Sequence, residues 1–298
     1  MKEAKTMSLE VISNLLPPII MGFLLGGLYS VIGFGLSLVF GVMRMVNLAH
    51  GSFVIFGSYF AYVLLTTLGL DPLLSLVIIL PISFGIGFAL QRALLNRLYR
   101  LGVEPPLLTT YGIAIILASA YLLIFTPYSR GLVTSYSISS AGFGALTFPL
   151  IFILDFIAAL ITMIFLYILL NKTYVGLAIR CATQDPQAAK LVGMNINHIY
   201  ALTFGLAITF ASLGGVFLGL TYPFIPASSF TYLIIAFGVV VVGGLGSMLG
   251  TFIGGIVLGL AQTLGYHFFG IGYQLLITYL VILVMLVIRP QGILGVKR

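Results

Sequence analysis

PLIFILDFIAALITMIFLYILLNKTYVGLAIRCATQDPQAAKLVGMNINHIYALTFGLAITFASLGGVFLGL, residues 149–220, is a polar island held between two apolar runs. Pro149–Leu170 and Ile199–Leu220 are each close to the ~20 residues a helix needs to cross a bilayer. The island between them, 171–198, holds a short helix with readable ends. Asp185 suits the N-cap, and Pro186 suits the first helical position, where its missing N–H would be unpaired anyway. Gly193 suits the left-handed position that closes a helix. About seven helical residues remain, roughly 10 Å of helix. So short a helix is unstable alone and needs something to dock on.

The rest of the chain has the character of the two flanking runs. Of 298 residues, 61% are hydrophobic and 6% charged, and the mean hydropathy is +1.23. No soluble domain could hydrate such a surface. The composition predicts an all-α, polytopic transmembrane helical bundle, one domain over 1–298 with no soluble module. Apolar runs fall at 15–42, 52–68, 72–90, 107–126, 149–170, 199–220, 230–247, 249–265 and 271–288. The first is interrupted by Pro17-Pro18, which suits either one span with an interfacial lead-in or a span plus a re-entrant piece. The pair 230–265 is divided only by GGLGSMLG at 243–250, as a hairpin or a broken helix. The expectation is about 8–10 spans, with nine as the working count. Gly22 with Gly26, Gly246 with Gly250 and Gly255 with Gly259 are spaced for close helix–helix packing.

The net charge of +7 reflects cytoplasmic loops rather than nucleic-acid binding. Arg92, Arg97 and Arg100, then Lys172, Arg180 and Lys190, then Arg289, Lys297 and Arg298 mark three basic segments. The loop 127–148 holds only Arg130, and 221–229 holds no charge. The positive-inside rule places the basic segments, and the C-terminus, in the cytoplasm. Nine spans then put the N-terminus outside, against the mild pull of Lys2 and Lys5. The first 18 residues carry both acids and bases without a clear cleavage site, and read as retained. Cys181 is the single cysteine, so no intramolecular disulfide can form.

Gln187-Ala188-Ala189-Lys190-Leu191-Val192-Gly193 resembles the E-A-A-x-x-x-G element of ABC importer permeases. Gln187 stands where that element has Glu, and Thr203 falls outside its longer form. FGVMRMVNLAHGSFVIFGSYFAY (40–62), RCATQDPQAAKLVGMNINHIYALTFGLA (180–207), VVVVGGLGSMLGTFIGGIVLGLAQ (239–262) and VIRPQGILG (287–295) each resemble stretches of the high-affinity branched-chain amino acid permeases, most nearly the LivH type. The likeness runs from about residue 17 to 295, with order and spacing kept. It implies a multi-pass subunit of a prokaryotic plasma-membrane importer with the ABC importer permease fold. It also implies four partners besides lipid: a homologous LivM-type permease, two cytoplasmic ATPases and an extracytoplasmic binding protein. Arg180, Asp185, Pro186, Gln187, Ala188, Ala189 and Gly193 would then couple to an ATPase, the two alanines giving a slim face that seats in a groove. The expected cargo is leucine, isoleucine or valine. Related permeases carry urea, short amides or other amino acids.

No G-x-x-x-x-G-K-[ST] occurs, so nothing cradles nucleotide phosphates in the usual way. This chain is expected to bind no cofactor, with ATP and Mg²⁺ used by partner subunits. A channel or secondary transporter would share that absence. Ion coupling, however, calls for intramembrane charges, and Asp155 alone lies clearly inside an apolar run. Its position near the start of that run suits either a functional acid or a side chain reaching headgroups, water or a neighbouring helix. Arg44, Asn47, His50 and Gly51 lie in a break between the first two runs. They suit either a gate or pathway element, or a turn whose polar side chains satisfy freed backbone groups. His50, His198 and His267 have no second ligand at helical spacing, so no metal site is expected. No catalytic residues are expected either: the chain shows no Ser–His–Asp pattern and no carboxylate pair.

Overall fold

The computed structural model describes residues 2–102, 104–143 and 146–295; Lys297 and Arg298 of the basic tail lie outside them. The helices in chain order are α1 Lys2–Met43, α2 His50–Leu68, α3 Pro72–Leu90, and, past a π-helical turn at Gln91–Leu95, α4 Asn96–Leu98. Then come α5 Glu104–Phe125, the single turn α6 Ser135–Ile138, α7 Leu150–Lys172, α8 Tyr174–Gln184, α9 Pro186–Leu191 and α10 Ile196–Thr221. The chain ends with α11 Ser228–Gly243, α12 Met248–Phe269 and α13 Gln274–Ile288.

Among the described residues, eight helices are long and apolar enough to cross a membrane. The ninth apolar helix, α11, has sixteen residues, about 24 Å. That falls short of the ~30 Å hydrocarbon core. The working count of nine thus becomes eight membrane-length helices plus one shorter. Pro17-Pro18 does not break the first run, because α1 passes through both prolines as one helix. The stretch 243–250 is a turn between α11 and α12, opened by Gly244 at φ +114° and Gly246 at φ +80°. The loop 127–148 contains regular structure of its own. After α6, strand β1 Ser140–Phe143 pairs antiparallel with β2 Leu146–Pro149.

Burial inverts the pattern of a soluble protein. The centre is α1 from Asn14 onward and α10, which are buried along most of these lengths. Around them, α3, α5, α7 and α13 turn large apolar side chains outward, such as Val77, Leu123, Ile161 and Val287. This is a bilayer-facing surface. The helices approach closely where glycines meet. Gly26 of α1 faces Gly255 and Ile256 of α12, and Gly22 faces Leu260 and Thr263. Buried hydroxyls and amides then join helices by hydrogen bonds. Thr251 donates to Ser37 at 2.7 Å, Ser58 to the Gly215 carbonyl at 2.6 Å, and Tyr29 to Gln262.

Charge divides the two ends of the bundle. Arg44, Arg92, Arg97, Lys172, Arg180, Lys190 and Arg289 follow the ends of α1, α3, α7 and α13 or lie in the 173–195 connection. These ends are tied together. The Tyr99 hydroxyl donates to the Met43 carbonyl, Asn96 donates to the Asn197 carbonyl at 3.0 Å, and Ile293 N–H donates to the Val242 carbonyl at 2.8 Å. Arg130 lies at the opposite end, in a β-bridge with Phe224.

Candidate coupling site and re-entrant segment

The polar island holds two helices rather than one. Thr173 ends α7 and caps α8, its hydroxyl accepting from Gly176 N–H at 3.1 Å. Gly176, Ile179 and Ala182 form the buried stripe of α8. Gly176 lies against the backbone of Leu169 and Leu170, with no room for a side chain. Arg180 points outward and bonds Asn171 at 3.3 Å. The sequence reading missed α8. Its signal was the capping Thr173 followed by small or apolar residues three apart.

At α9 the expected caps are in place. One Asp185 carboxylate oxygen accepts from Gln187 N–H at 2.8 Å and Ala188 N–H at 3.0 Å, and Pro186 opens the helix. Gly193 has φ +87°. Its N–H meets the Lys190 carbonyl at 3.0 Å, and Met194 N–H reaches back to the Ala189 carbonyl, also at 3.0 Å. This paired closure satisfies carbonyls left over at the helix end.

The two alanines do not form one outward face. Ala189 is buried against the chain's own body, while Gln187, Ala188 and Lys190 are exposed. Successive helical residues diverge by about 100°, so neighbours cannot share an orientation. The outward surface instead carries Leu191, 89% exposed, and Val192, 74% exposed, with Tyr174 close by in sequence at 93%. The sequence reading missed these apolar side chains, although two aliphatic residues ahead of a helix-closing glycine in a polar loop were the available signal.

The break between the first two spans is a re-entrant segment, exposed at Arg44 and buried at Met45, Asn47 and Ala49. Arg44 takes a left-handed conformation at φ +52° and ends α1, its N–H on the Phe40 carbonyl at 2.9 Å. The chain then doubles back. His50 Nε2 donates to the Ile32 carbonyl at 2.8 Å, eleven residues and about 16 Å before Met43 along α1. Its imidazole also lies against Gly35, beside the Ala207 carbonyl of α10. Asn47 and His50 are fully buried. The Asn47 side chain accepts from Ala49 N–H at 3.1 Å, and Leu48 N–H reaches Thr110 of α5 at 3.3 Å. Gly51 abuts the backbone of Ser229 and Leu233 in α11. Asn47 and His50 are therefore not neighbours on one helix. Asn47 in the irregular connection and His50 at the start of α2 are the polar stitching where α1, α5, α10 and α11 come together. Asn47 Nδ2 and His50 Nδ1 remain buried without a partner.

Asp155 is fully buried. Of the partners its position allowed, the structure shows the neighbouring helix: Thr221 Oγ1 donates to its Oδ2 at 2.8 Å.

A bundle in which the spans α7 and α10 flank a capped helix at the basic end has the architecture of a transport permease. The chain belongs to the family of permease components of branched-chain amino acid transport systems, whose model matches residues 19–288. It is 29% identical to the high-affinity branched-chain amino acid transport system permease protein BraD of Pseudomonas aeruginosa, covering 95% of this chain and 97% of that one. It is also 29% identical to LivH of Escherichia coli, over 92% and 93% of the two chains. LivM of Salmonella typhimurium, a second permease of such a system, is 25% identical over 91% of this chain and 68% of its own length. No solved structure matches the chain.

Proposed function

We propose that this chain is one of two homologous permease subunits of an ATP-driven importer for branched-chain amino acids, and does no chemistry itself. In this reading the basic end, with the C-terminus, faces the cytoplasm, as the positive-inside rule requires. One observation carries the reading: α9 is capped at both ends and leaves Leu191 and Val192 uncovered at that basic end. An ATPase subunit docks there. Closure of the ATPases on ATP pushes α9, and α8 passes the displacement to α1, α7 and α10, which it contacts. The rigid glycine contacts of α1 with α12 make those spans move as a body, and the cavity shared with the LivM-type partner changes the side it faces. A binding protein delivers the cargo from outside. The apolar character of the bundle suits Leu, Ile or Val.

The test is reconstitution with the LivM-type permease, the two ATPases and the binding protein. Leucine uptake is expected only with all components, and with ATP on the α9 side. Uptake by the isolated chain on a proton or sodium gradient would make it a secondary transporter. Urea uptake with leucine ignored would keep the mechanism and replace the cargo. Cysteines introduced at Gln187 or Lys190, with Cys181 replaced, are expected to react only with cytoplasmic reagent. Reaction from outside would reverse the topology.

A further inference from the structure

A basic cleft at the end of α3 adjoins an apolar groove, and the two share both of their arginines. The cleft, about 370 Å³, is lined by Arg92, Asn96, Arg97, Asn195, Asn197 and His198, none of them acidic. The groove, about 620 Å³, is lined by Phe88, Ala89, Arg92, Ala93 and Arg97. Phe88 joins the two, with the Arg92 guanidinium 5.9 Å from its ring centroid and the His198 ring packed edge-on at 5.6 Å.

The backbone sets this pairing. In an unbroken α-helix, residues five apart point about 140° away from one another. The π-helical turn Gln91–Leu95 takes up an extra residue, and such turns recur at functional sites. Arg92 and Arg97 therefore lie on one side and line the same two cavities. Asn96 holds the turn against α10. Its side chain accepts from Gln91 Nε2 at 3.0 Å and donates to the Asn197 carbonyl at 3.0 Å.

Depth identifies the ligand. Arg92 is twenty residues beyond Pro72, about 30 Å along the helix, which is the thickness of the hydrocarbon core. Arg97 is about 7.5 Å further on, among the headgroups. Guanidinium pairs match phosphate oxygens in shape and charge, and the groove on the bilayer side of the arginines is apolar. We infer that Arg92 and Arg97 bind the phosphate of an anionic phospholipid in the leaflet at the basic end, with an acyl chain along Phe88, Ala89 and Ala93. The site is independent of the cargo and of which way the basic end faces.

The test is native mass spectrometry of the purified transporter complex, titrated with dioleoylphosphatidylglycerol or dioleoylphosphatidylcholine. Two arginines set an expected preference of roughly 30-fold for phosphatidylglycerol. R92Q/R97Q is expected to abolish the preference, R92K/R97K to retain part of it, and R289Q, at the same end, to leave it intact. Both arginines are exposed, so their loss leaves the fold standing, which the melting temperature checks. Equal retention of the two lipids, or an unchanged preference in R92Q/R97Q, overturns the site. Displacement of bound phosphatidylglycerol by millimolar inorganic phosphate reassigns the cleft to soluble phosphate and overturns the lipid. Crosslinking of an Arg92→Cys variant to an ATPase subunit, without lipid preference in the parent, makes the cleft a protein contact and also overturns it.

Discussion

Thr221 donates its hydroxyl to Asp155 at 2.8 Å, a side-chain bond from α10 to the acid buried in α7. The other carboxylate oxygen has no partner. Thr221→Val therefore strips the one side-chain hydrogen bond from a fully buried group. The expected cost is about 1–3 kcal/mol, read as a lowered melting temperature in detergent. Thr221→Ser keeps the hydroxyl and is expected to melt close to the parent. Equal melting of Val and Ser variants would show that the bond carries no stability.

Gly26 and Gly255 meet where α1 crosses α12, and a side chain added at either runs into the opposing backbone. Gly255→Leu is expected to destabilise by about 3 kcal/mol, the upper end for overpacking, because main-chain atoms cannot yield as a side chain can. Gly112→Leu, in open space on α5, is the matched control and is expected to be neutral within about 0.5 kcal/mol. Thermal unfolding of the two proteins side by side decides the point.

Asp185→Ala removes an acceptor for two helix-opening N–H groups, at a cost of about 1 kcal/mol. Gly193→Val forces a β-branched residue into φ +87°, where glycine alone is at ease. Neither residue is in the bundle core. Both variants are expected to assemble with their partners, the loss falling on α9 rather than on the bundle core, while substrate-stimulated ATP hydrolysis falls several-fold. Normal uptake by Gly193→Val would show that coupling does not depend on the end of α9.

Leu191→Asp and Val192→Asp replace side chains that touch little of the chain itself. If an ATPase covers them, each costs association on the order of tenfold without changing the melting temperature of the isolated subunit. Co-purification and a binding isotherm separate those effects. Unchanged association would place the contact elsewhere on the loop.

The spans were legible because each is a local property, some twenty apolar residues in a row. The ends of α9 were legible for the same reason, since Asp185, Pro186 and Gly193 act within one turn. What escaped the sequence depends on distant partners. The re-entry of 44–49 is defined by distant partners, Thr110 for Leu48 and Ile32 for the His50 that follows, and no local pattern announces it. Asp155 could be placed near a helix start, but its bond to Thr221 spans sixty-six positions. Ala188 and Ala189 looked alike in the string, and only the body beneath them separates the buried one from the exposed one. The β1–β2 hairpin was hidden because polar and apolar residues alternate weakly over just four positions a side.

The re-entrant segment sets an order of events during synthesis. Asn47 and His50 leave the ribosome long before Ala207 of α10 exists. Until α10 arrives, the segment is held only by α1 and α5, through Ile32 and Thr110, and the side of His50 that will face Ala207 is uncovered. The packing of this stretch is therefore complete only after two-thirds of the chain is made. A chain cut short before α10 thus leaves His50 open on one side, a polar group at membrane depth that separates an unfinished bundle from a finished one.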